Sequence, residues 1–160
     1  MEKQLRAKIS LKNPSHLLAF GFGSGLIPLM PGTFGSLAAI PILIGMSFLN
    51  TSLFIVVTIL AFVLGIKLCQ IASEALGSHD HGSIVWDEIA GMMVTFLFVP
   101  IDALSLFLGF LLFRFFDILK PWPINVIDQK VHGGFGIMID DIVAGAMACL
   151  SLHFIYLFII

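Results

Sequence analysis

"GFGIMIDDIVAGAMACLSLHFIYLF", residues 134–158, places two adjacent aspartates, Asp140 and Asp141, at the mouth of a long apolar run. An ionised carboxylate in an apolar medium is costly unless something neutralises it. This stretch therefore raises two questions: what solvent suits the apolar run, and what positive charge the acids meet. Composition addresses the first. Of 160 residues, 59% are hydrophobic and 11% are charged, where soluble domains carry about 25% charged residues. Mean hydropathy is +1.07. A soluble domain this small has too little polar surface to cover so much apolar side chain. The chain reads as an all-α integral membrane bundle, because open strands cannot satisfy their backbone in lipid.

The apolar blocks fall at about 36–49, 52–68, 88–99, 103–116 and 142–160, separated by Asn50-Thr51, by Pro100-Ile101-Asp102 and by Gly- and Pro-rich breaks. They predict about five short spans, or four where blocks merge, in one domain covering 1–160. Several blocks are shorter than the ~20 residues a perpendicular span prefers. Residues 1–14, with Lys3, Arg6, Lys8 and Lys12, read as a polar or interfacial N-terminal segment without the apolar core of a cleavable signal. Basic residues accumulate on the cytoplasmic side. With the N-terminus there, five spans bring segments 69–87 and 117–140 to the same face. The outer turns then hold a single charge, Asp102. All the polar, motif-like blocks gather on one surface.

A net charge of −2 with no basic–aromatic stripe argues against a nucleic-acid partner. Cys69 and Cys149 lie in apolar stretches without CxxC spacing and read as packing residues. No His/Cys spacing supports a zinc site.

Four blocks carry chemistry. In "PLMPGTFGSLAAIP", Pro31 and Gly32 suggest a turn, and Thr33 or Ser36 either caps the following helix or helps its amides hold a phosphate. In "GSHDHGSIVWDEIAGMM", Asp80, His81, Asp87 and Glu88 fall close together. A helix from about Ser83 puts Asp87 on one face with Gly91, and Glu88 about 100° around from it. The bland alternative is a set of solvated interfacial acids. In "FRFFDILKPWPIN", Arg114 and Asp117 are spaced to pair and Lys120 stands at the membrane edge, as phosphate clamps or as snorkelling bases. In "HGGFGIMIDDIVAG", Gly133, Gly134 and Gly136 suggest a tight loop, with Asp140 and Asp141 near the start of the last helix. A helix dipole offers at most ~2 kcal/mol, too little for two carboxylates at depth. An all-oxygen set with an excess of acids suits a hard cation, Mg2+ by preference.

Together, in this order, "PGTFGS", "DHGSIVWDEIAGM", "FRFFDILKPWPI" and "HGGFGIMIDDIVAG" resemble the phosphatidylglycerophosphatase A family, bacterial membrane enzymes of phospholipid synthesis. The likeness covers nearly the whole chain. It implies a Mg2+-dependent phosphatase in the inner membrane, multi-pass and with its site facing the cytoplasm. Phosphatidylglycerophosphate is the implied substrate and membrane lipid the surroundings. The family's acids fall on Asp80, Asp87, Glu88, Asp117, Asp140 and Asp141, its bases on Arg114 and Lys120, and its first-block hydroxyls on Thr33 and Ser36.

On this reading Asp87, Glu88, Asp140 and Asp141 hold the metal. Arg114 and Lys120 neutralise phosphate oxygens, Thr33 and Ser36 orient the phosphate, and Asp80 or His81 moves a proton. An aspartyl-phosphate on Asp87 or Asp117 is the lower-ranked route. The competing classes are a small cation transporter or channel, which would need a homo-oligomer, and another lipid head-group phosphotransferase.

Overall fold

A computed structural model describes residues 9–78 and 81–158. Among them every element is helical: α1 (Pro14–Ala19), a 3-10 turn (Gly21–Leu26), α2 (Pro31–Met46), α3 (Thr51–Leu76), α4 (Trp86–Thr95), α5 (Ala103–Leu119), α6 (Ile124–Lys130) and α7 (Gly133–Phe158). Local chemistry sets the ends. Asn50 Oδ1 accepts from the Leu53 amide at 2.9 Å and starts α3, and Gly77, at φ 69°, stops it. Asp102 opens α5 with a reciprocal capping box to Ser105. Pro31 occupies the first turn of α2, where its missing N–H costs nothing.

Five helices run in alternating directions. The Gly134 amide donates to Gln70 Oε1 at 2.7 Å, and Lys120 Nζ lies 2.8 Å from Asp140. One end of the bundle thus gathers the C-terminal halves of α3 and α5 and the N-terminal half of α7. At the other end, the Tyr156 hydroxyl of α7 sits 3.2 Å from both Asp102 carboxylate oxygens. The α2–α3 turn and the Phe96–Ile101 linker share a cavity at that second end.

Two helices, α3 and α7, have 26 residues each and are long and apolar enough to cross a membrane. At 1.5 Å per residue each spans ~39 Å. Large apolar side chains lie on the outside of the bundle as well as inside it. On α5 alone Leu104, Phe107, Leu111, Phe115 and Ile118 are exposed at helical spacing. A helix apolar all round calls for an apolar solvent, which is consistent with membrane association. By contrast α4 has only 10 residues and reaches ~15 Å, half the thickness of a bilayer core.

Three local expectations are corrected. Pro31 and Gly32 are helical, so Thr33 and Ser36 lie inside α2; the residue at its N-cap is Met30, in a left-handed conformation with φ 55°. The second-block helix begins at Trp86, not Ser83. The glycines 133, 134 and 136 belong to α7, which starts at Gly133. Asp140 and Asp141 are therefore two turns inside that helix, beyond the reach of its dipole.

Close backbone approaches hold the bundle. A Cβ on Gly134 would strike the Ile66 carbonyl oxygen, and one on Gly145 the Gly91 carbonyl oxygen. Trp86 Nε1 donates to the Ala61 carbonyl at 2.9 Å, fixing α4 on α3. Cys69 is fully buried with its Sγ 3.6 Å from Met138 Sδ, and the Cys149 thiol donates to the Leu97 carbonyl at 3.3 Å. Among the described residues neither cysteine is in a disulfide.

Candidate active site

The crossing of α4 over α7 builds the site. Asp87 stands one turn before Gly91, and Asp141 one turn before Gly145. The two glycines meet, since a Cβ on Gly145 would lie 3.1 Å from the Gly91 carbonyl carbon. Small residues at a crossing let helix backbones approach closely. Here they draw together the acid-bearing turn next to each.

The result is a three-carboxylate cluster. Asp87, Glu88 and Asp141 each present an oxygen within 4.8 Å of the others. Asp87 and Asp141 are buried and Glu88 is largely so. Asp117 lies close to both Glu88 and Asp141, and Asp140 is a further close neighbour of Asp141. Glu88 Oε2 is buried with no hydrogen-bond partner among the described residues. Five acids thus face two bases.

Those bases come from α5 and its cap. The Arg114 guanidinium forms an ion pair with Asp117 one turn on, while its Nε is buried and unpartnered among the described residues. Lys120 ends α5 in a left-handed conformation, φ 42°, where glycine is usual. That geometry lets its ammonium reach Asp140 at 2.8 Å and Asp128 at 2.5 Å. Burial works against the ammonium, but its hydrogen bonds to Asp128 and Asp140 outweigh that and hold its pKa above the ordinary lysine value.

The residues anticipated from sequence divide accordingly. Asp87, Glu88 and Asp141 come together, with Asp117 and Arg114 beside them. Asp140, expected with the metal ligands, sits at the edge of the cluster: one oxygen faces Lys120 and the other accepts from the Asp141 amide at 3.1 Å. The Ser36 hydroxyl is fully buried and donates to the Gly32 carbonyl at 2.9 Å. Thr33 is half-buried in the first turn of α2. His81 Nδ1 accepts from the Ser83 amide at 3.2 Å. The His81 side chain helps line a cavity of about 230 Å³ that also touches Pro31. Asp80 lies outside the described residues.

Two residues were missed. Gly32 abuts Glu88 and Arg114; its signal was a glycine beside the first block's hydroxyls, read only as a turn. Asp128 shares Lys120 with Asp140, and its spacing from Lys120 carries no periodic signal.

The donor set is all oxygen, partly desolvated and short of positive charge, with an orphaned buried carboxylate oxygen. These features fit a hard divalent cation and give a soft metal no ligand.

Comparison with known proteins bears on the chemistry. Residues 17–156 match the family model described as phosphatidylglycerophosphatase A. The chain is 50% identical over 151 residues to a protein of that name from Escherichia coli, covering 94% of this chain and 88% of that one. It is 52% identical over 143 residues to another of that name from Haemophilus influenzae, covering 88% of each. No solved structure matches.

Proposed function

The chain belongs to the phosphatidylglycerophosphatase A family, and from that premise we propose that the carboxylate cluster is the reaction centre of a lipid phosphatase. Its reaction is removal of the terminal phosphate of phosphatidylglycerophosphate, leaving phosphatidylglycerol and inorganic phosphate. One observation carries the assignment of the centre: three carboxylates within 4.8 Å, one with an orphaned buried oxygen, stand beside an arginine.

Asp87, Glu88 and Asp141 would hold a divalent cation, Mg2+ by preference. Such a cation, when bound, polarises a phosphoryl oxygen and acidifies bound water. The remaining steps belong to the chain itself. Arg114 supplies a fixed positive fork for non-bridging oxygens, and Asp117 holds it in place. That pairing leaves Asp117 poorly placed as a nucleophile, so attack by water is preferred. Lys120 neutralises Asp140 and adds positive charge at the rim. His81 Nε2, with Nδ1 occupied by the Ser83 amide, is the atom through which a proton moves to or from the leaving group.

In the membrane, α2 to α5 and α7 form a five-helix, multi-pass arrangement with the acidic end at the cytoplasmic headgroup level. The acyl chains stay against the apolar exterior while only the head group enters. The short α4 and the polar end place the reacting phosphate near the interface without carrying it through hydrocarbon.

The test is phosphate release by purified, detergent-solubilised protein on a panel of phospholipid monophosphates, with EDTA and then Mg2+ added back. Release that survives thorough EDTA treatment would remove the cation assignment. Absence of release under all conditions would favour a transporter, which has no gradient to use in detergent.

A further inference from the structure

Several glycines near the acidic end are required by backbone packing. Cβ atoms on Gly25, Gly134 and Gly145 would strike the carbonyl oxygens of Ser83, Ile66 and Gly91 respectively. Gly32 is different. Its φ is not positive, so its conformation does not call for glycine. It lies in the first turn of α2, where alanine is the better helix former. The nearest atoms to a Cβ there are Glu88 Oε1, closer than van der Waals contact, and Arg114 Nη1 and Nη2 at 3.2 and 3.3 Å. All three are the ends of flexible side chains that can move aside. Folding therefore does not explain the glycine. What a methyl group would disturb is the placing of one acid of the cluster and of the guanidinium.

We propose that Gly32 is a positioning residue whose missing side chain lets the Glu88 carboxylate and the Arg114 guanidinium close in against the bare face of α2, where the guanidinium can meet a phosphomonoester dianion. This rests on the reaction centre assigned above. The ends of both side chains lie against Gly32. A side chain at position 32 would push the Glu88 carboxylate and the Arg114 guanidinium out of these positions.

The test separates stability from turnover. Gly32→Ala should insert normally and melt at or above the wild-type temperature. Its kcat/KM should fall by ~10²-fold, the scale expected when catalytic groups are displaced by about 1 Å. Its inhibition by inorganic phosphate should weaken in parallel. Gly45→Ala, which meets nothing within 4 Å, should leave both unchanged. In the double variant Gly32→Ala/Glu88→Asp the shorter acid makes room, so the loss should be smaller than the product of the two single losses.

Near-wild-type kcat/KM and phosphate inhibition in Gly32→Ala would overturn the proposal. So would an activity loss matched by a lowered melting temperature, or fully multiplicative losses in the double variant. Cation binding is scored separately, from the paramagnetic signal of Mn2+ bound to the wild-type protein. Failure of the cation assignment and failure of the Gly32 assignment would thus leave different records.

Discussion

Alanine at position 91 would carry a Cβ 2.8 Å from the Asp141 carbonyl oxygen and 2.5 Å from Cε2 of the Phe113 ring. Carbon–oxygen contacts rarely fall below about 3.3 Å and carbon–carbon contacts rest near about 3.5 Å or more. The backbone of α7 at Asp141 must therefore retreat by ~0.5 Å and the Phe113 ring by ~1 Å. Phe113 is fully buried, so its ring has no empty space to enter, and it adjoins Arg114 in sequence. The one methyl group thus shifts the turn of α7 that carries Asp141 and crowds the residue that precedes Arg114. Overpacking of this kind costs about 1–3 kcal/mol, offset by about 1 kcal/mol from replacing glycine in a helix. The net loss of stability should be ~0–2 kcal/mol. Turnover should suffer more, by ~10- to 100-fold, because reacting groups tolerate little misplacement. Phosphate release and a thermal melt on the same detergent preparation measure both. Gly91→Ala with unchanged kcat/KM would refute the view that the Gly91–Gly145 crossing sets the geometry of the acids.

Glu88→Gln and Asp141→Asn should each abolish most phosphate release. Each should also raise the melting temperature measured in EDTA, because buried carboxylates then repel one another less, and should remove the further rise expected for the wild type when Mg2+ is added. A melting temperature in EDTA below that of the wild type would count against a crowded acid cluster. Lys120→Met should lower the melting temperature by an amount that is constant from about pH 6 to 9. The reason is linkage: the folded-state pKa of Lys120 lies above its ordinary value, so its contribution is complete below about pH 10.4 and is lost only above that. A loss that changes steeply between pH 6 and 9 would show that Lys120 is not the titrating partner of Asp128 and Asp140.

The helical character and the demand for an apolar surround were legible in the sequence, because both are sums over many residues. Runs such as 52–68 hold too few polar residues to present a water-facing stripe as a strand or a soluble helix. The four polar blocks were legible as one surface, since alternating threading forces odd and even connections to opposite ends. The pairing of Asp87 with Gly91 and of Asp141 with Gly145 could be read from helical spacing. That these two patterns cross each other could not.

Only the tertiary structure separated Asp141 from its neighbour Asp140. Adjacent residues on a helix point about 100° apart, so one turns toward Asp87 and Glu88 while the other meets Lys120. It also showed that Gly32, which the sequence suggested only as part of a turn, stands against Glu88 and Arg114. Sequence patterns report what a residue carries and how often it recurs. Which carboxylates converge, and where a glycine lets a carboxylate and a guanidinium close in, depends on contacts between helices far apart in the chain, where local periodicity has nothing to say.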